Sequence, residues 1–168
     1  MNLTPELEKA LNDQLGKEFF ASYSYLSMAA YFDGTAWDGF GSWMTLQSDE
    51  ERAHAMKFYT YILDRGGKVK LPEIQAPRID FKDPLDVFKT SLSQEKDVTK
   101  SISNLYKLAL ESADFATVSF LQWFVDEQVE EEKNVSDMID KLERAGSNPE
   151  NLLLLDNYAG KRSAEPAE

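Results

Sequence analysis

The segment Glu50-Glu51-Arg52-Ala53-His54-Ala55-Met56 contains the only histidine of the chain, three residues after a glutamate. In an α-helix this spacing places Glu51 and His54 on the same face. Apolar residues recur around the segment at steps of three and four, at Phe40, Met44, Phe58 and Ile62. The period predicts a long helix whose buried face carries a carboxylate and an imidazole, and Glu-x-x-His is a metal-binding spacing of helical bundles.

Three other segments show the same helical period, and each contains one glutamate among apolar neighbours. Together with the first segment, these glutamates are Glu18, Glu51, Glu95 and Glu131. Each lies within a few residues of the middle of its own predicted helix, and antiparallel helices of similar length place their middles at one level. We therefore expect the four carboxylates to meet in the interior of a bundle.

A single glutamate of this kind usually reaches water at the edge of its helix, and a lone histidine is usually a hydrogen-bonded core residue. Four unpaired carboxylates at one level need another explanation, because burial of even one costs several kcal/mol. The apolar stripes contain no lysine or arginine near this level, whereas two divalent cations would balance the four charges. Oxygen ligands with one imidazole suit iron or manganese, and zinc can also enter such a site.

Capping signals mark the helix ends. Three helix starts combine an N-cap residue with a proline, at Thr4-Pro5, Asp83-Pro84 and Asn148-Pro149, and Asp114 offers a fourth cap. Helix stops are marked by Gly34, Gly66, Gly67 and Gly146. We predict four long helices over about residues 5–33, 37–66, 84–111 and 114–145, and a short fifth helix over about 149–159.

The connections predict the topology. Short links join the first helix to the second and the third to the fourth, so each of these pairs is expected to be antiparallel. The segment 67–83 contains Pro72 and Pro77 and no helical period, and it is long enough to cross the full length of a helix. The predicted fold class is all-α, a four-helix bundle with one long crossover connection and a short fifth C-terminal helix.

Composition narrows the function. The 168 residues suffice for one domain with a hydrophobic core. A net charge of −12 argues against nucleic acid as a partner, and the absence of cysteine excludes disulfides, thiolate zinc sites and iron–sulfur clusters. The apolar runs are too short to span a membrane, and the N-terminal residues do not resemble a secretory signal. We expect a cytoplasmic protein that binds neither nucleic acid nor membranes.

The fourth predicted helix contains the acidic run Asp126-Glu127-Gln128-Val129-Glu130-Glu131-Glu132. Such a run is usually a solvated face, but part of it shares one side of the helix with the buried stripe. The candidates for an additional, wetter cation site are Glu50, Glu127, Glu130 and Glu131.

Tyr25, two turns after Glu18, is either a core tyrosine or a residue that hydrogen-bonds oxygen at the metal ions or supplies an electron. Trp123 is open to the same two interpretations, with the core role favoured.

In these features the chain resembles the non-haem bacterial and archaeal ferritins, over nearly its whole length up to about Gly160. The segments that carry the resemblance are Ala10-Leu11-Asn12-Asp13-Gln14, Tyr25-Leu26-Ser27-Met28, residues 50–56, Arg65-Gly66-Gly67, Phe120-Leu121-Gln122-Trp123-Phe124 and residues 127–132. The resemblance implies a ferritin-like fold and a hollow 24-subunit shell. It also implies ferroxidase activity, in which Fe(II) is oxidised by dioxygen or hydrogen peroxide and ferric mineral is stored inside.

The resemblance also implies a ligand set by matching positions. The first iron site would use Glu18, Glu51 and His54. The second would use Glu51 as a bridge together with Glu95 and Glu131, with Gln128 nearby. A possible third site would use Glu50, Glu127, Glu130 and Glu131. Tyr25 matches a tyrosine beside the centre, and Trp123 matches a neighbouring tryptophan.

Differences from related families exclude some kinds of metal centre. Bacterioferritins and rubrerythrins carry a second Glu-x-x-His, but the predicted fourth helix contains no histidine, and a rubredoxin-type domain would need cysteines. We expect two iron ions per subunit and no haem. Residues 1–160 are expected to form a ferritin-like di-iron domain, and residues 161–168 a flexible tail. Two alternatives stay open: a di-iron oxidase of the same bundle class that stores no iron, and a metal-free structural or interaction bundle.

Overall fold

The computed structural model describes residues 3–163, and within that range the chain is all-helical. The helices are α1 (Pro5–Asp33), α2 (Asp38–Asp64), α3 (Pro84–Glu111), α4 (Phe115–Ala145) and α5 (Pro149–Ala159). The predicted fold class is confirmed, and the observed helix ends differ from the predicted ones by no more than two residues. Within the same range, none of the helices combines the length and the apolar character that crossing a membrane requires. The predicted tail lies mostly outside the described residues.

Side-chain caps explain why three of the long helices begin where they do. Thr4 Oγ1 accepts a hydrogen bond from the Leu7 amide at 3.2 Å, and Asp83 Oδ1 accepts one from the Asp86 amide at 2.8 Å. Asp114 caps α4 in the same way. The start of α2 has no such cap from its own N-cap residue, and its Phe40 amide instead donates to Asp156 Oδ1 of α5 at 2.8 Å. The fifth helix is therefore hydrogen-bonded to a backbone amide at the beginning of the second.

One turn differs in detail from the sequence prediction. Gly34 does follow α1, but its φ of −72° is open to any residue. The left-handed conformation in this turn falls on Ala36, with φ 58°. Gly146, with φ 61°, ends α4 in the left-handed region, where a glycine carries no steric penalty.

The crossover, residues 65–83, runs along α1 and sets the direction of α3. Near its start, Lys70 N donates to Asn12 Oδ1 at 2.6 Å, and near its end Ser27 Oγ donates to the Arg78 carbonyl at 2.7 Å. It therefore passes from the beginning of α1 towards its end, so α3 starts there and runs antiparallel to α1. The α1–α2 hairpin and the α3–α4 hairpin pack into one bundle.

A polar layer divides the core of this bundle. One apolar cluster contains Tyr25, Met44, Phe88 and Val135, and the other contains Leu15, Ala55, Val98 and Phe124. In each long helix, one of the four predicted glutamates falls between these two clusters in sequence. All four glutamates are buried, so the bundle holds its acidic groups at one level between two hydrophobic halves.

Candidate metal centre

The first hairpin brings three of the predicted ligands together. Glu18 of α1 and Glu51 and His54 of α2 are buried, and each offers a ligand atom within 4.8 Å of the others. His54 Nδ1 lies 3.4 Å from Glu51 Oε2. Across residues 3–163, these are the residues that form a group of three or more metal-binding side chains at this spacing.

Glu51 is the glutamate of this layer that lacks an amide or hydroxyl donor. Both of its carboxylate oxygens are buried, and neither accepts a hydrogen bond from an amide or hydroxyl donor in the described part of the chain. Glu51 instead shares a hydrogen bond with the carboxyl of Glu18. Burial raises the pKa of Glu51 well above its usual range, and repulsion from Glu95, Glu18 and Glu131 raises it further. A buried carboxylate without donors is costly, and a cation between the helices would remove that cost.

The second hairpin contributes Glu95 and Glu131 from the opposite side of the layer. The Tyr25 hydroxyl donates to Glu95 Oε1, and Gln128 Nε2 lies 3.2 Å from Glu95 Oε2. Gln47 Nε2 donates to Glu131 Oε2 at 2.9 Å. Each of these two carboxylates thus keeps one amide donor, although neither belongs to the close group formed by the first hairpin.

The electrostatics of the layer favour its protonated or cation-bound form. Burial raises the pKa of Glu18 to about 7 and that of Glu131 to about 8. Burial also raises the pKa of Glu95. Because Glu18 and Glu131 bind protons near neutral pH, the layer is a set of oxygen ligands from which divalent cations can displace protons.

His54 is held in the form that binds metal. Burial, followed by the nearby charge of Lys57, lowers the pKa of His54 to about 4, so the imidazole is neutral at physiological pH. The His54 ring contacts the ring of Trp123, with centroids 5.2 Å apart. Lys57 Nζ also lies over the Trp123 ring, 3.4 Å from its centre. Trp123 therefore packs directly beside the candidate ligand and is only partly buried.

The residues predicted for a third site are less closely grouped. Glu127 Oε1 lies 3.9 Å from His54 Nε2, and Glu130 is exposed on α4. Glu50 is paired with Arg162, a residue beyond the end of α5. The third site stays a prediction.

Sequence reasoning missed several polar partners of the centre. Gln14 Nε2 donates to Glu18 Oε1 at 2.7 Å, and Ser91 Oγ lies 2.8 Å from the Tyr25 hydroxyl. Gln14 stands one helical turn before Glu18, so its position on the buried face was visible in the sequence. The contact of Arg162 with Glu50 joins residues 112 positions apart, and no local sequence pattern predicts it.

Comparison with known proteins places this architecture in a family. The sequence model of the ferritin-like domain matches residues 8–145. The chain belongs to the ferritin family. The resemblance inferred from the sequence is thereby confirmed.

Relatives of this ferritin are similar over nearly their entire length. A bacterial non-heme ferritin from Staphylococcus epidermidis is 46% identical over 161 residues, which cover 96% of this chain and 97% of that protein. One from Staphylococcus aureus strain USA300 is 44% identical over the same shares. The open pore ferritin of the archaeon Archaeoglobus fulgidus superposes with a TM-score of 0.95 at 40% identity, covering 97% of this chain and 100% of that one.

The donor set of this ferritin suits iron. It combines four carboxylates with one neutral imidazole and no thiolate, and such hard oxygen and nitrogen ligands favour iron or manganese over soft-metal chemistry. The two hairpins also differ in their possible ligands, since the single histidine lies on the α1–α2 hairpin.

Proposed function

We propose that this ferritin stores iron and acts as a ferroxidase, oxidising Fe(II) to Fe(III) at a di-iron centre inside each subunit. Glu18, Glu51 and His54 bind the first iron ion. Glu51 bridges to the second, which Glu95 and Glu131 bind, with Gln128 beside them. The observation that supports the proposal is the buried Glu51 carboxyl, which has no amide or hydroxyl donor among the described residues and lies near the carboxyls of Glu18, Glu95 and Glu131.

The proposed chemistry balances for a pair of iron ions. Two Fe(II) ions each give one electron, and the electron pair reduces dioxygen to hydrogen peroxide with uptake of two protons, or reduces hydrogen peroxide to water. The carboxylates then stabilise the higher charge of Fe(III). Tyr25, whose hydroxyl donates to Glu95, would hold that ligand in position.

We further propose that the oxidised iron is stored as mineral within a cage of 24 copies. The outer surface of one chain supports association with copies of itself. Tyr23 and Leu26 on α1 are 48% and 51% exposed, and Ile79 on the crossover is 70% exposed. Large apolar side chains that are exposed in the single chain are typical of surfaces that other subunits cover.

The proposal is tested by adding Fe(II) anaerobically to the metal-free protein and then admitting dioxygen. Wild type should show a fast oxidation phase. E51A and H54A should slow that phase by more than about tenfold, because each removes a ligand whose loss weakens metal binding by at least this order. The matched control is D49N, an exposed carboxylate of the same helix, which should behave as wild type.

Two further measurements separate this proposal from its alternatives. Native mass spectrometry should give the cage, and a small oligomer would instead indicate a di-iron oxidase without storage. Metal analysis should find iron that E51A loses. If E51A and H54A oxidise iron as fast as wild type, the ligand assignment is wrong.

A further inference from the structure

The side chain of Arg162, just beyond the end of α5, reaches back to α2. Its Nη2 atom donates to Glu50 Oε2 at 2.6 Å, and the two side chains are only 13% and 17% exposed. The guanidinium carbon also lies 4.8 Å from the centre of the Trp43 ring. An arginine that is both paired and stacked in a largely buried place is held more firmly than an ion pair in water.

The charge of Arg162 also acts on the candidate metal centre. Burial and repulsion from Glu95 raise the pKa of Glu131, Arg162 lowers it, and Glu50 raises it again. Both charges are therefore close to Glu131. Glu50 directly precedes Glu51 on α2, so Arg162 is paired with a carboxylate next to the proposed bridging ligand.

The hydrogen bonding of Arg162 is incomplete. Its Nη1 atom is buried and has no hydrogen-bond partner within residues 3–163. An arginine that served only to fasten the chain would be expected to bind a carboxylate through both ends of its fork. Here Nη2 is bound to Glu50, while Nη1 has no partner among the described residues.

We propose that Arg162 is a tethered counter-ion, which occupies Glu50 until a divalent cation displaces it and so weakens cation binding between Glu50 and Glu131. The inference rests on the proposed function in taking the neighbouring layer to bind iron. A cation that binds at Glu50 has to move the guanidinium away from Trp43, or else bind close to a like charge. Charges a few ångströms apart near a protein surface interact strongly enough to change affinity on the order of tenfold to a hundredfold.

Cations at this edge are consequently held less tightly than those at Glu18, Glu51 and His54. The two places therefore differ in how readily they release iron. An ion at the edge of the centre is easily released, whereas an ion at the buried group is retained.

A purely structural role for Arg162 makes a different prediction. If Arg162 only fastens the segment after α5, its replacement loosens that segment and leaves the affinity for metal ions unchanged or lower. If it is a counter-ion, removal of its charge strengthens the binding that depends on Glu50. R162K keeps the charge but loses the planar fork, so it separates charge from shape.

The experiment titrates the metal-free, full-length protein with Zn²⁺ by isothermal calorimetry, because Zn²⁺ binds without oxidation. Variants are R162Q, R162K, E50Q and R162Q/E50Q, with S163A as the matched control from the same segment. H54A identifies the binding events that belong to the buried group. Thermal unfolding and native mass establish that each variant keeps the wild-type fold and assembly.

We expect R162Q to strengthen the weaker, Glu50-dependent binding by about tenfold or more, and R162K and S163A to stay close to wild type. The gain should vanish in R162Q/E50Q, since a double-mutant cycle isolates the coupling of the two residues. Glu50-dependent binding that R162Q leaves unchanged or weakens would overturn the proposal, as would a gain that persists without Glu50. Absence of His54-dependent binding in wild type would instead count against the proposed function.

Discussion

At Glu51, no amide or hydroxyl donor among the described residues offsets the cost of burying a carboxylate. Glu18 has Gln14 as a donor and Glu131 has Gln47, so the lack of a donor sets Glu51 apart within the layer. A residue that bridges two cations needs both of its oxygens available, and an amide donor on either oxygen would compete with them. The missing donor is therefore consistent with the bridging role proposed for Glu51.

The metal-free protein should become less stable as the pH rises from about 5.5 to 8.5. Glu18 and Glu131 have folded-state pKa values of about 7 and about 8, above the ordinary value of 4.5. The folded state then binds more protons than the unfolded state, so the stabilisation is complete below about pH 4.5 and is lost as the pH passes through 7 to 8. We expect a decrease on the order of 3 kcal/mol, measured by denaturant unfolding of the metal-free protein at several pH values.

The double variant E18Q/E131Q is the control for this pH dependence, because an amide keeps the shape of the carboxyl and does not titrate. Its unfolding free energy should vary less with pH than that of wild type. Zn²⁺ should also stabilise wild type more at pH 8 than at pH 5.5, since it replaces protons that are bound more weakly at high pH. Wild-type stability that is constant or rises over this range would contradict the expectation.

The sequence was a good guide to single residues only where the helical period applies. The burial of Glu18, Glu51, Glu95 and Glu131 could be predicted, because a stripe at steps of three and four defines one face of a helix. Which carboxylate lacks a donor could not be predicted, because it depends on side-chain rotamers across the bundle. The use of these residues as iron ligands stays a prediction.

Among the elements, helix starts that combine a side-chain cap with a proline were predicted to the residue. Pro5, Pro84 and Pro149 each follow a capping residue and begin α1, α3 and α5, because a proline at this position costs no hydrogen bond. The predicted start of α2 is one residue too early. Near this start the Phe40 amide donates a hydrogen bond to Asp156 of α5, a residue distant in the sequence. Local signals thus define local boundaries, and contacts between remote elements escape them.

The docking of α5 on α2 depends on the absence of a side chain at Gly39. A Cβ atom there would lie 1.8 Å from the backbone oxygen of Asp156, so G39A has to push the two helices apart. We expect a loss of about 3 kcal/mol in unfolding free energy, the upper range for overpacking a well-packed contact. Denaturant unfolding measures it, and S42A, an exposed position on the same helix, is the control.

The same substitution also bears on Arg162. Because Arg162 follows α5 directly, G39A should displace its side chain from Glu50 and strengthen Glu50-dependent Zn²⁺ binding, as R162Q does. A G39A variant as stable as wild type would show that α5 does not rest on Gly39 in the way the structure indicates.

On the scale of the whole molecule, exposed apolar side chains on α1 should control assembly. L26E places a charge on a surface that is 51% exposed in the single chain, so the fold of the subunit should survive while association is weakened. Native mass spectrometry should show smaller species, and circular dichroism should show unchanged helix content. L26M keeps the apolar surface and should assemble as wild type does, while full assembly of L26E would place the contact elsewhere.

The division of the bundle into two hairpins also has a consequence for folding kinetics. Glu18, Glu51 and His54 come from the first hairpin, and Glu95, Gln128 and Glu131 come from the second, with residues 65–83 as the covalent link. Each hairpin can form from contacts that are near in sequence, whereas the two halves of the centre meet only when the hairpins dock. If iron binds across that seam as proposed, it would act as a removable cross-link, which slows the separation of the hairpins and leaves the rate at which each one forms almost unchanged.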